Sequence, residues 1–314
     1  MSLLSSIPEL IHYYVKWRAN GLRAGAHVGR IAGSGSRFRG HGPLLDNPDP
    51  RRIDVRATAR DPYRRLLVKM YQQNVSLPVW VVADWSASMA FQSEQGTGAG
   101  MMQDSAEHPL SSSKASARGD ANKIEVIADL CEQLAWSTWR MADRLGFIAC
   151  NDGIVRELQV PARCSRLQGS AIRQRLMQAP APQGGAHGLA SAAAEIGRER
   201  SLVFLVTDAH YPLPELQQVL QSLSGHDVVP VVLWNSAEYS ALPRWGFARF
   251  RDAETRQERL LWCRPRLQQK INAAYEARRE AIAEVCAQWG RLPFFISDRL
   301  QARALTHYFM ESAR

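Results

Sequence analysis

Nowhere in this 314-residue chain is there an unbroken run of about 18 apolar residues, so no membrane-spanning helix is expected. Cysteine is sparse. Cys131, Cys150, Cys164, Cys263 and Cys286 are scattered, and none of them forms a C-x-x-C pair. That argues against a zinc ribbon or a disulfide framework and for reduced thiols in a cytoplasmic protein. The first residues lack the basic-then-apolar order of a secretory leader, which carries the same expectation. A Walker A loop is missing, so ATP hydrolysis would have to belong to a partner. The Gly-x-Ser-x-Gly elbow of sheet hydrolases is missing as well. Gly33-Ser34-Gly35 starts like a dinucleotide fingerprint, but Phe38 stands at the third glycine position and no apolar strand is read before it.

What is present is a 46% apolar chain, enough for a substantial core, with a net charge of +9 that is unevenly placed. Residues 1–76 hold 13 Lys and Arg against 5 Asp and Glu. Arginine dominates this arm and suits pairing with carboxylates, so an acidic protein surface ranks first as its partner. Nucleic acid ranks well behind, because no recognisable nucleic-acid module accompanies the charge. The bland alternative is a solvated basic surface.

Along the chain, Ile7–Leu22 is read as a helix and Gly29–Pro50 as loop. Arg65–Gln72 reads as a strand leading into Val79–Asp84. Phe91–Ala121, poor in aliphatic residues, reads as a mobile insertion. Apolar residues at Ile124, Ile127, Cys131, Leu134, Thr138, Met141 and Leu145 predict a helix over Lys123–Leu145. Strands at Gly146–Cys150, Ser201–Val206 and Val228–Trp234 alternate with helices near Arg166–Met177, Leu189–Gly197 and Pro214–Leu223. That alternation predicts an α/β fold with a doubly wound, mainly parallel sheet. Beyond Asn235 the pattern changes to a hairpin at Phe247–Phe250 and Leu260–Trp262 and a long helix with Arg278 interrupting its apolar face. A last strand at Leu292–Ile296 follows, and then a helix capped by Asp298. The division expected is a basic arm over 1–76, a main domain over 77–236 and C-terminal additions over 237–314.

The chemistry concentrates where Val79–Ala83 ends in Asp84-Trp85-Ser86-Ala87-Ser88. Asp84, Ser86 and Ser88 lie two apart, so one tight loop can aim three oxygens at a common point, as a hard cation such as Mg²⁺ requires. Asp208 ends another strand, and the Pro182–His187 loop should reach the same edge, where ligands gather in such sheets. Serines that merely form turns or cap a helix are the bland reading. A hydrolase built from Ser86 or Ser88, His187 and Asp208 is the catalytic alternative, and a metal-free scaffold is the third.

Taken together, Asp84-x-Ser86-x-Ser88, Gly184-Gly185 and Thr207-Asp208 resemble the metal-ion-dependent adhesion site of von Willebrand factor A domains. Arg52-Ile53-Asp54 with Thr58-Ala59-Arg60 resembles the signature of a bacterial family of such proteins associated with MoxR-type AAA+ ATPases. Gly33-x-Gly35-x-x-Phe38 and the Phe294–Phe309 segment add to the likeness, which spans roughly residues 30–310. The resemblance implies a non-catalytic interaction module in which Asp84, Ser86, Ser88 and Asp208 hold Mg²⁺ or another divalent cation. It implies a MoxR-type ATPase as partner and a role in assembling or maturing another complex. Maturation of a methanol dehydrogenase is the most specific case. Ala186 departs from the pattern, which usually has a threonine there, and water or His187 would have to substitute. Arg52, Asp54, Thr58 and Arg60 have two readings, a buried polar clamp or a docking surface for the ATPase.

Overall fold

Five consecutive apolar residues, Val79–Ala83, can bury both faces of a strand, and their valines suit a pleated surface. In the structure, a computed structural model describing residues 8–19, 23–33, 37–90, 122–235, 246–251 and 258–312, this run lies inside a six-stranded sheet. The first elements are β1 (Ala24–Gly33), β2 (Arg37–Pro43), α1 (Val55–Arg60), β3 (Leu67–Val75) and β4 (Pro78–Asp84). Next come α2 (Lys123–Arg140), β5 (Arg144–Cys150), β6 (Val160–Arg163), α3 (Gln168–Gln178), α4 (Ala192–Ile196) and β7 (Leu202–Thr207). The chain continues with α5 (Leu213–Ser222), β8 (Asp227–Leu233), β9 (Gly246–Arg251) and β10 (Glu258–Cys263). It finishes with α6 (Pro265–Gln288), β11 (Phe294–Ile296) and α7 (Ala302–Ser312).

The main sheet runs β11-β8-β7-β4-β5-β6. All its neighbours are parallel save β6, which pairs antiparallel with β5. The order reverses beside β4, whose following helix α2 leads to β5 on one side while β7 lies on the other. This is the doubly wound, mainly parallel sheet of von Willebrand factor A type. Alternation along each strand sorts the core into two layers. Val79, Val81, Phe147 and Phe204 pack on one face with Ile127, Leu134, Ile172 and Phe309. Val82, Ile148, Val203 and Leu205 pack on the other with Leu189, Leu216, Leu220 and Ile282. Burying each of these large side chains contributes about 1.5–3 kcal/mol, which is why both faces of β4 had to be apolar.

Several sequence expectations are corrected. Residues 8–19, expected to be helical, are not. Ile11, Tyr13 and Val15 are buried while His12, Tyr14 and Lys16 are exposed, so the segment alternates like a strand. Two of its backbone N–H groups are met by side chains of two helices, the Ile11 N–H donating to Ser137 Oγ at 2.8 Å and the His12 N–H to Thr306 Oγ1 at 3.2 Å. Asp143 anchors it. This wholly buried carboxylate accepts from the Tyr13 hydroxyl, from the Leu77 N–H at 2.7 Å and pairs with His27 Nε2 at 2.7 Å. The same residue ends α2 early. The helix stops at Arg140, Ala142 turns with φ of 56°, and Leu145 belongs to β5 instead of the helical face.

Gly29–Pro50 is not loop throughout, because β1 and β2 flank β3 in a separate three-stranded antiparallel sheet. The pairing is irregular, with register shifts in both ladders, and its Gly- and Arg-rich sequence carries no alternation to announce it. Asp298 does not cap the last helix, since it sits at φ of 65° and α7 begins at Ala302. Strands β9 and β10 do pair as the expected hairpin. The proposed insertion Phe91–Ala121 lies outside the described residues. No helix among the described residues is long and apolar enough to cross a membrane.

Candidate functional site

Parallel pairing of β4 with β7 aligns Ala83 with Val206, which carries Asp84 to the level of Thr207 and Asp208 at the carboxyl edge of the sheet. Both carboxylates are fully buried. Asp84 Oδ1 accepts the Ser86 N–H at 2.9 Å, and Oδ2 accepts the Thr207 hydroxyl at 2.8 Å. Thr207 Oγ1 accepts in turn from the Ala209 N–H at 3.0 Å, tying the two loops together. Ser86 Oγ lies 3.0 Å from Ser88 Oγ. Asp208 Oδ1 accepts the His210 N–H at 3.3 Å, while the Asp208 carbonyl accepts Trp234 Nε1 at 2.8 Å. Asp84, Ser86, Ser88 and Asp208 are thus brought to one edge of the sheet.

The second loop meets them through its backbone. The Ala87 N–H donates to the Gly184 carbonyl at 3.0 Å, and the Gln183 N–H to the Trp85 carbonyl at 3.2 Å. Gly184 has φ of 79°, a conformation that glycine adopts without strain. A side chain there would also collide with the Asp152 carboxylate, which accepts the Gly185 N–H at 2.9 Å. Ala186 is buried in the apolar layer on this face and offers no hydroxyl. His187 turns away, with Nδ1 3.2 Å from Glu215 Oε2 and the side chain 69% exposed. Among the described residues, no hydrogen bond joins it to Ser86, Ser88 or Asp208.

Three residues that contribute here were not singled out as site residues. Thr207 orients Asp84. Arg278, whose charge interrupts the apolar face of α6, is explained by the site: its guanidinium donates to the carbonyls of Ala209, at 2.8 Å, and Tyr211. It thereby fixes the backbone after Asp208, including Ala209 at φ of 50°. The third is Lys123. Its Nζ lies 3.0 Å from Asp208 Oδ2 and 3.3 Å from the Ser88 carbonyl, with the side chain 4% exposed. One signal was available in the sequence, because a lysine in the first turn opposes the helix dipole and calls for a local reason.

Burial and the nearby Asp208 charge push the Asp84 carboxyl up to about 6, against the lowering pull of Ser86 and Thr207. Burial also opposes ionisation of Asp208, but Lys123, His210 and Ser88 outweigh it and hold Asp208 below its ordinary range. Asp208 is thus the carboxylate that ionises first. The donor set of carboxylate and hydroxyl oxygens fits a hard divalent ion. Among the described residues no three His, Cys, Asp or Glu side chains converge, so such an ion would depend on the serines.

The signature residues gather elsewhere, on the small sheet. Asp54 caps α1 by accepting from the Arg56 and Ala57 N–H groups, at 3.0 and 3.1 Å, and pairs with His41 Nε2 at 3.0 Å. Thr58 Oγ1 accepts the Leu67 N–H at 3.0 Å. Arg52 pairs with Asp49 at 2.9 Å, not with Asp54 as a simple Arg–Asp clamp would have it, and lies over the Tyr71 ring. Arg60 is exposed.

A wound sheet with an oxygen cluster at its switch point defines the class. Comparison with known families then places the chain: it belongs to the family described as "Protein of unknown function DUF58", matched over residues 106–282. No curated protein matches it. Among solved structures it is similar to the conserved hypothetical protein BatB from Bacteroides thetaiotaomicron, at 13% identity and a TM-score of 0.41, covering 76% of this chain and 99% of that one. An aerotolerance-related membrane protein from Bacteroides fragilis gives 13% identity and 0.38, covering 76% and 98%. Proximal thread matrix protein 1 from the mussel byssus gives 14% and 0.33, covering 51% and 37%. These distant likenesses add nothing to the topology already read from the strand order.

Proposed function

We propose that the chain is a non-catalytic interaction module in which Asp84, Ser86, Ser88 and Asp208 hold Mg²⁺ or another divalent cation at the sheet edge. The observation that carries this reading is the placement of two fully buried carboxylates, Asp84 and Asp208, at one sheet edge with the Ser86 and Ser88 hydroxyls, which lie 3.0 Å apart. When bound, the ion would supply an exchangeable coordination position that an acidic side chain of a partner can fill. The protein's own part is positional. Thr207 and the Ser86 N–H aim Asp84, the Gly184–Gly185 backbone braces the serine loop, and Arg278 fixes the turn after Asp208.

The partner in this proposal is a MoxR-type AAA+ ATPase, and the task is assembly or maturation of another complex, with methanol dehydrogenase maturation as the specific case. The resemblance of the Arg52-Ile53-Asp54 and Thr58-Ala59-Arg60 segments to that family supports it, as does the absence of a nucleotide loop in this chain. The orientation of His187 toward Glu215 speaks against a hydrolase. A metal-free scaffold is the second reading, favoured by Ala186.

Melting temperature recorded with millimolar Mg²⁺ and with EDTA tests the proposal, because a ligand at 100 times its Kd stabilises the fold by about 2.7 kcal/mol. A shift that Asp84→Ala abolishes is the expected result. No shift favours the scaffold, and ester hydrolysis lost in Ser86→Ala would instead establish the enzyme.

A further inference from the structure

Lys123 places a positive charge where the proposed ion would bring another. Its ammonium touches Asp208 Oδ2 at 3.0 Å and the Ser88 carbonyl at 3.3 Å, and both of those residues belong to the proposed coordination set. The lysine is 3% exposed, and the dipole of α2 opposes a cation at its first turn. Asp208, fully buried, accounts for its presence: an ionised carboxylate without a counter-charge is costly at that depth. Charge accounting gives the consequence. Asp84 and Asp208 together carry two negative charges. A divalent cation neutralises both by itself, whereas a divalent cation beside Lys123 leaves one positive charge in excess in a poorly solvated site.

We infer that Lys123 is a tethered counter-ion that occupies Asp208 when no metal is bound and must withdraw when a divalent cation enters. The inference rests on the metal reading above and deepens it. The site has two alternative states, one in which the protein's own ammonium offsets one of the two carboxylate charges and one in which an external ion offsets both. In the first, Lys123 also holds the Ser88 carbonyl; in the second, it is released toward solvent. Metal affinity in the wild type is therefore held down by competition, and loading changes the exposure of one specific amine.

Two measurements test it. The first is Mg²⁺ titration by calorimetry, together with melting in EDTA, for wild type, Lys123→Met and Asp84→Asn. The expected result is that Lys123→Met melts lower than wild type in EDTA yet binds Mg²⁺ at least about tenfold more tightly, with Asp84→Asn binding none. The second needs no variant. Brief acylation with an amine-reactive acetyl ester, followed by peptide mass spectrometry, reports modification of Lys123 with Lys69 (46% exposed) as internal reference. Lys123 should be protected in EDTA and modified several-fold faster in Mg²⁺.

The outcomes separate cleanly. Mg²⁺ binding of equal strength in wild type and Lys123→Met, or Lys123 labelling unchanged by Mg²⁺, overturns the competition and leaves the metal site standing. No Mg²⁺ binding by either protein overturns both. If Lys123→Met does not fold, the labelling experiment on the wild type decides alone.

Discussion

The Thr207 hydroxyl donates to Asp84 Oδ2 at 2.8 Å across the boundary between β4 and β7, joining residues 123 positions apart in a fully buried contact. It exists because parallel register sets the ends of those two strands side by side at the switch point. Thr207→Val keeps shape and removes this donor, and it also removes the acceptor of the Ala209 N–H. The loss should be about 1–3 kcal/mol, the usual range for leaving a buried polar group unmet, read from urea unfolding. On the metal reading proposed above, Mg²⁺ affinity should fall with it, since Asp84 would no longer be aimed.

Gly184 offers a test of the second loop. Gly184→Ala puts a methyl group at a positive φ and against the Asp152 carboxylate. We expect destabilisation of about 1–2 kcal/mol from the backbone alone. Relief by a second change, Asp152→Ala, should be partial, because the backbone cost stays. A double-mutant cycle on thermal melting would reveal the coupling.

Asp143 should be among the most sensitive positions away from the site. Tyr13→Phe removes one donor and should cost about 1 kcal/mol. Asp143→Ala leaves the Tyr13 hydroxyl and Leu77 N–H without their acceptor and should cost about 1–3 kcal/mol for each buried group left unmet. Limited proteolysis should then cut first within residues 8–19, which this carboxylate anchors.

The signature segment carries a pH dependence of known sign. The Ala57 N–H, followed by the His41 hydrogen bond, holds the Asp54 carboxyl down to about 2 from its ordinary 3.8. A depressed carboxyl stabilises the fold fully above its unfolded value and loses that contribution as the pH falls through 3.8 toward 2. The melting-temperature difference between wild type and Asp54→Asn should therefore be constant above pH 5 and shrink between pH 4 and about 2. A difference that persists at pH 2 would assign the cap another role.

Arg60 is separable from its neighbours in the signature. Arg52, Asp54 and Thr58 are engaged in the small sheet, whereas Arg60 is exposed. Arg60→Glu should change stability by no more than about 0.5 kcal/mol, as exposed substitutions do. If this segment docks a MoxR-type ATPase, the folded variant should lose capture of that partner in a pull-down. Retained capture would reassign Arg60 to plain surface.

Periodicity and composition by themselves determined the wound sheet, because runs such as Val79–Ala83 and Ser201–Val206 can be satisfied only by burial on both faces. They also determined the serine loop, since residues two apart in one turn need no distant information to converge. Tertiary structure decided the rest. Residues 8–19 are extended and not helical, with the Ile11 and His12 N–H groups held by Ser137 and Thr306, and no local pattern contains those partners. Helix α2 ends at Arg140 because Asp143 is required as a buried acceptor for groups more than 60 residues away in the chain. Lys123 is locally out of place, since a first-turn cation opposes the helix dipole, but the sequence does not name its partner. Only the meeting of α2 with the end of β7 gives its charge a carboxylate to hold.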